Sequence, residues 1–264
     1  MAVIRFLMAS TLASVASVMV NAGSEFEYGN FIYRSKGPNP VTMSLNTTKD
    51  GMGSFSIECG QQYQHGSFKL NENDGDTHHS ILHEFPRISP GSEVRHRWLH
   101  WAKLVCPQLR IPPTPNTDLQ KFFIDEDGNV ETEFEGKRVV LEREWLSMRP
   151  GRYFSGSKSK LIQHYDVFSN GYVYVSVGCA DHRRTDYMVF RLVSIGPGKL
   201  YKLEPIPGHN TVANLLHSFE QACPTWANAS DHFKKSFGTV GFATDDVLYG
   251  IGVFNYDRLY KVTE

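Results

Sequence analysis

The side chains of this sequence that could carry chemistry are its 11 histidines, its four cysteines and two acidic loops. His100 and His217 form a matched pair, each preceded by a leucine and followed by a Cys-Pro: Leu99-His100 before Cys106-Pro107, and Leu216-His217 before Cys223-Pro224. An imidazole titrates near neutral pH and can bind a partner or move a proton. On a helix both would stand about 160° from the apolar stripe, facing outward. They are the candidate binding residues, toward the other half of the chain, a partner or a substrate.

His96 and His100 are four residues apart, a spacing that can chelate a metal. The second copy has Ala213 in place of His96, no third ligand is placed by the sequence, and His78, His79 and His83 are merely near in the chain. No metal or other cofactor is expected. The acidic loops Asn71–Asp76 and Asp125–Asn129 lack the alternating oxygen ligands, sixth-place glycine and twelfth-place glutamate of an EF-hand, and read as solvated turns. No Gly-x-Ser-x-Gly elbow occurs. Gly156-Ser157-Lys158-Ser159-Lys160 lacks the Gly-x-x-x-x-Gly-Lys-Ser/Thr run of a phosphate loop. The basic-aromatic cluster from Arg95 to Lys103 loses its charge in the second copy, so it reads as a solvated helix face with tryptophans packed beside it.

The elements that must hold these groups follow from an internal repeat. Gly29-Asn30-Phe31-Ile32-Tyr33 answers Gly151-Arg152-Tyr153-Phe154-Ser155. Asp50-Gly51 precedes Cys59 as Asn170-Gly171 precedes Cys179, and Phe68-Lys69-Leu70 answers Phe190-Arg191-Leu192. The Leu-His and Cys-Pro pairs follow in the same order. Phe122, Asp125, Phe134, Arg138 and Glu144 then match Phe242, Asp245, Phe254, Arg258 and Glu264 without a gap. The expected organisation is a signal peptide over 1–22, module 1 over 23–145, a short junction over 146–150 and module 2 over 151–264. Each half is expected to build its own core and to pack against the other.

Within a module the strand signals are dense. Tyr172–Val177 and Tyr187–Val193 are β-branched and aromatic. Asp50-Gly51 and Asn170-Gly171 predict tight hairpins with positive φ at both turn positions, and closing hairpins are expected over 121–143 and 239–262. One helix per module precedes each Cys-Pro, with Ser92 and Asn210 as expected N-caps and Pro107 and Pro224 as stops. Trp98, Leu99, Ala102 and Val105, like Val212, Leu215, Leu216, Phe219 and Ala222, recur at helical spacing. Cys106 and Cys223 continue those stripes, so the simplest of three pairings is Cys59–Cys106 with Cys179–Cys223. A strand-rich module that opens with Gly-x-aromatic and carries a late helix resembles a lipocalin-type barrel, a likeness of three residues per copy from which no site is carried over.

The expected fold class is therefore α+β: two tandem copies of a mostly antiparallel β module, sheet or partly closed barrel, each with one helix tied to the sheet by a disulfide. Arg5, the uncharged stretch Phe6–Val20 and Val20-Asn21-Ala22 read as a signal peptide cut after Ala22. That stretch is shorter than the roughly 20 residues a membrane span needs. Four cysteines suit an oxidising compartment, and Asn46 and Asn228 head N-x-S/T sequons. Lys+Arg number 27 against Asp+Glu 28, a net charge of −1 that gives no global attraction to nucleic acid or anionic membrane. The expectation is a secreted, extracellular, monomeric binding protein whose partner is an unknown protein or small ligand. The alternatives are a secreted hydrolase with His/carboxylate chemistry in an inter-module cleft, and a carrier of a small apolar ligand.

Overall fold

The computed structural model describes residues 29–48, 50–79, 84–112, 117–125, 128–156, 159, 161–179, 183–196, 200–229, 238–251 and 256–262, with backbone alone for 71–79, 84–89, 227–229 and 256–257. The segment read as a signal peptide lies outside them. So do His83, Phe254 and Glu264.

The first half comprises β1 (Gly29–Arg34), β2 (Thr42–Thr47), β3 (Met52–Glu58), β4 (Gln62–Lys69), β5 (Asn71–His79), β6 (Glu84–Ser89), α1 (Ser92–Val105), β7 (Phe123–Ile124), β8 (Val130–Phe134) and β9 (Lys137–Arg143). The second comprises β10 (Gly151–Ser155), β11 (Leu161–Val167), β12 (Tyr172–Cys179), β13 (Met188–Ile195), β14 (Leu200–Pro205), α2 (Val212–Ala222), a 3₁₀ segment (Pro224–Ala229), β15 (Thr239–Phe242), β16 (Val247–Ile251) and β17 (Tyr256–Lys261). Strands β10 to β17 close into an eight-stranded antiparallel barrel in sequence order, which leaves no edge. The first half builds a seven-stranded sheet, β4-β3-β2-β1-β9-β8-β7, and a separate hairpin, β5-β6. Strand β6 lies alongside β7 without joining its ladder, so this half is left unclosed.

The registers of the two halves correspond. Gly29 faces Thr47 as Gly151 faces Val167, Thr42 faces Glu58 as Ile162 faces Gly178, and Met52 faces Lys69 as Tyr172 faces Arg191. Cys59 pairs with Cys106 and Cys179 with Cys223, at Cα separations of 5.5 and 5.9 Å. Each bridge ties the end of a strand to the C-cap of the helix, Cys106 or Cys223.

Three sequence expectations are corrected. The gapless match of the closing hairpins is wrong by two residues. Phe31 faces Arg143 where Tyr153 faces Lys261, and Val130 faces Leu141 where Leu248 faces Leu259. Arg143 thus answers Lys261, because ladder pairing rather than side-chain identity sets the register. The turns at Gly51 and Gly171 are not two-residue turns with two positive φ angles. Thr48 N–H donates to Met52 O and Gly51 N–H to Thr48 O, with Phe168, Tyr172 and Gly171 repeating the pattern. Among the described residues of these turns only the glycines are left-handed, at φ 74° and 85°, as in a three-residue loop with a G1 bulge. The turn with two positive φ angles is Glu135-Gly136, whose N–H groups both donate to the fully buried Asp118 carboxylate at 3.0 and 2.9 Å. Finally, the N-caps are Gly91 and Thr211, one residue from Ser92 and Asn210. Thr211 forms a capping box with Asn214, which satisfies helix N–H groups that Gly91 cannot.

Two cores result. In the barrel, Tyr153, Tyr165, Val173, Val175, Val177, Phe190, Phe242 and Leu248 point inward and meet Leu215, Leu216 and Phe219 of α2. The core of the first half centres on Trp98, stacked on Phe55 at 4.6 Å and edge-on to Phe68 at 4.7 Å. It is not self-contained, contrary to the expectation that each half builds its own core. Ala243, Val247 and Tyr249 from the outer side of β15–β16 complete it, so β16 is buried on both faces. At this seam the Arg143 guanidinium lies 4.5 Å from the Phe31 ring centroid, 5.3 Å from Trp145 and 4.7 Å from Tyr249, a desolvated cation–π cluster. Trp145 rests on Gly241, where a Cβ would stand 2.5 Å from its ring. Leu146 bridges to Phe242, and Arg149 pairs with Asp245 at 2.6 Å.

Candidate functional site: an aromatic outer face of the barrel

Strand β11 alternates strictly and β12 does so over Tyr172–Val175, and Val173, Val175 and Val177 of β12 fill the lumen. Tyr172 and Tyr174 must then point outward. Outward residues on neighbouring strands align in rungs. Tyr260, Phe154, His164 and Ser176 form one, Arg152, Asp166, Tyr174 and Val189 the next, and Tyr172 with Arg191 a third, beside Phe168 at the hairpin. Phe168, Tyr172, Tyr174 and Tyr187 are 46%, 40%, 42% and 43% exposed. Phe168 and Tyr174 meet edge-on at 5.6 Å, which fixes their rings.

At one side of this face the His164 ring packs against Phe154, centroids 4.2 Å apart, and its Nδ1 lies 3.0 Å from Arg184 Nη1 and 3.2 Å from the Tyr187 hydroxyl. A guanidinium only donates, so Nδ1 is the acceptor and the ring proton sits on Nε2. Burial, aided by the Arg184 charge, pushes the His164 pKa down to about 4. The imidazole is neutral at physiological pH and offers an Nε2–H donor beside a phenol and a guanidinium. Such a cluster presents donors; it does not provide a general base poised near neutrality.

Asp166 supplies the acceptor. It faces Arg152 on one side and Tyr174 on the other, and its Oδ1 is enclosed without a hydrogen bond, the Arg152 Nε being 3.9 Å away.

The same positions of the first half read differently. Asn30, Ile32, Ser44, Asn46, Met52 and Ser54 stand where the barrel has Arg152, Phe154, His164, Asp166, Tyr172 and Tyr174. Thr48 takes the hairpin position of Phe168. The ladder needs no exposed aromatic to form, because the first half forms it with none at these positions.

The residues singled out from sequence are placed elsewhere. His100 is exposed on α1, edge-on to Trp101 at 6.0 Å, and His217 is exposed on α2, 3.1 Å from Gln221 Nε2. They lie on different helices of different halves. His96 is exposed too, and His78 and His79 fall on β5, described by backbone alone. Among the described residues, no three His, Cys, Asp or Glu side chains are grouped to hold a metal. Asn46 is exposed on β2, while Asn228 lies in the 3₁₀ segment. In the basic-aromatic cluster, Arg95 is buried and its Nε donates to Asp118 O at 2.7 Å, so that face is only partly solvated. Trp98 is buried and donates from Nε1 to His65 Nδ1 at 3.0 Å. Burial, with Arg97 nearby, lowers the His65 pKa.

A groove of about 880 Å³ runs outside β7–β9 in the first half, lined by Lys121, Phe123, Glu131, Glu133 and Arg138. Within it Arg138 pairs with Glu131, and Glu133 accepts from the Thr117 hydroxyl. No helix among the described residues is long and apolar enough to cross a membrane. No protein-family model, curated protein or solved structure matches the chain.

Proposed function

We propose that this chain is a secreted, monomeric binding protein, the product of one internal duplication, and that it contacts its partner through the aromatic outer face of the second barrel. The observation that carries this reading is the contrast between equivalent positions: Phe168, Tyr172 and Tyr174 stand exposed where the first half has Thr48, Met52 and Ser54. Exposed aromatics that the fold does not require, rimmed by arginines and held on a rigid ladder, are the usual anchors of an interface. The two disulfides fit export. The repeated hydrogen-bond registers fit duplication.

The alternatives have less in their favour. A carrier needs an empty apolar lumen, whereas Tyr153, Tyr165, Phe190 and Phe242 occupy this one and α2 packs across it. A hydrolase at the seam needs converging histidines and carboxylates, whereas the seam centres on Arg143, Trp145 and Tyr249.

The test places a photo-crosslinking residue at Tyr172 or, as its counterpart, at Met52 in the mature oxidised protein, and exposes both to the extracellular fluid of the source. Capture at 172 alone is expected, reduced roughly tenfold by Tyr174→Ala, the loss typical of an interface anchor. Equal capture at both positions, or none at 172, rejects the reading.

A further inference from the structure

The barrel face combines three features that one ligand chemistry satisfies together. Its exposed apolar surface is largely planar, supplied by Phe168, Tyr172, Tyr174 and Tyr187. Its donors are charged or polar and planar: Arg152, Arg184 and the His164 ring, with the phenol of Tyr187 beside them. Its acceptor is Asp166, whose Oδ1 lacks a hydrogen bond and whose side chain is 25% exposed. Carboxyl torsions are broad, so a small rotation presents either oxygen to a ligand.

Resting on the reading above that this face docks the partner, we propose that its occupant is a neutral carbohydrate chain. A sugar ring has one face of C–H groups, which lies well on the electron-rich face of an aromatic ring. It also carries neighbouring hydroxyls that donate and accept at once, so one ring seated on Tyr174 gives Asp166 Oδ1 the donor it lacks. Outward residues on adjacent strands stand about 4.8 Å apart, and successive ones along a strand about 6.8 Å. The patch from Phe154 to Phe168 therefore accommodates a short run of rings.

Other occupants satisfy less of the face. A phosphodiester chain would bring negative charge onto Asp166. An aliphatic protein surface would cover the carboxylate and leave Oδ1 still without a partner. The first half sharpens the contrast: with Ser54 and Asn46 in place of Tyr174 and Asp166, it has neither the platform nor the charge.

Titration of the mature oxidised protein with neutral cello-, xylo- and chito-hexaose tests the proposal, with heparin and single-stranded oligothymidylate as polyanion arms. Binding of at least one neutral hexaose is expected, insensitive to salt, and weakened roughly tenfold by Tyr174→Ala and by Asp166→Ala, with Ser54→Ala in the first half unchanged. Unaltered disulfides and circular dichroism show that the variants fold, and Tyr174→Phe, which keeps the ring, is expected to retain most affinity. Failure of every neutral hexaose overturns the carbohydrate assignment, and so does binding confined to the polyanions with a steep salt dependence. If crosslinking at Tyr172 persists in either case, the docking face stands and only the class of its partner is wrong. Sugar binding that Tyr174→Ala leaves unchanged overturns both.

Discussion

The two halves of this chain share the pairing of their first three strands and of their closing hairpin, yet one closes into a barrel and the other does not. In the second half β14 pairs with β13 and β15 and completes the ring. In the first, β6 pairs only with β5 and passes β7 without a ladder, and the half is completed instead by β16 of its neighbour. The closed half has spare outer surface and covers it with aromatics. The open half depends on the seam and carries no aromatic at the corresponding outer positions. What both halves share is what the ladder, the helix staple and the glycine turns demand; what they do not share is free to serve a partner.

That comparison can be broken most forcefully at the disulfides. Replacing Cys59 and Cys106 by serine is expected to cost about 4 kcal/mol, and Cys179 with Cys223 about 3, within the usual range for native bridges. The open half should suffer more because its ladder is incomplete. Denaturant midpoints measure both, and an equal or reversed order counts against the contrast. Asp118→Ala follows, at about 2–3 kcal/mol, since it frees two N–H groups of the Glu135-Gly136 turn.

Arg143→Met should cost about 2 kcal/mol and split one unfolding transition into two, because it removes the cation–π cluster that joins the halves. Tryptophan fluorescence monitored beside circular dichroism would reveal the split, since three of the four tryptophans precede residue 146, and a single coincident transition would argue for a more distributed seam.

A smaller effect is expected from pH. The folded pKa of His164 lies below its ordinary value of 6.5, near 4, so the unfolded chain binds more protons between those limits. Stability from this group is present above about pH 6.5 and is lost as pH falls toward 4, by about 1 kcal/mol after discounting for solvent screening. His164→Gln should flatten that part of the profile. Last, Tyr174→Ala should shift stability by less than about 0.5 kcal/mol while reducing partner binding, as befits an exposed side chain. A large loss of stability would make the aromatic face structural.

Much of the scaffold was legible in the sequence. The cysteine pairing followed from a strand end and a helix end that must meet, and the glycine turns from residues that tolerate positive φ. The turn type was misread because Asp-Gly and Asn-Gly permit a two-residue turn without requiring it. The same backbone form arose at Glu135-Gly136, where the buried Asp118 stabilises a conformation that glutamate alone would not signal. The aromatic face had left a usable trace: valines at 173, 175 and 177 on one parity force Tyr172 and Tyr174 to the other. The His164–Arg184–Tyr187 cluster had left none, since its members are separated along the chain.

Alternation, helical spacing and cysteine placement act between residues a few positions apart, so the amino-acid order alone determined the strands, the two helices and their staples. Which half would close, the two-residue shift of the last hairpin, and the sharing of β16 between two cores were decided by tertiary structure. Each depends on a ladder or a packing surface supplied by distant segments, and free energies of that kind are set by which strands arrive side by side rather than by any local preference.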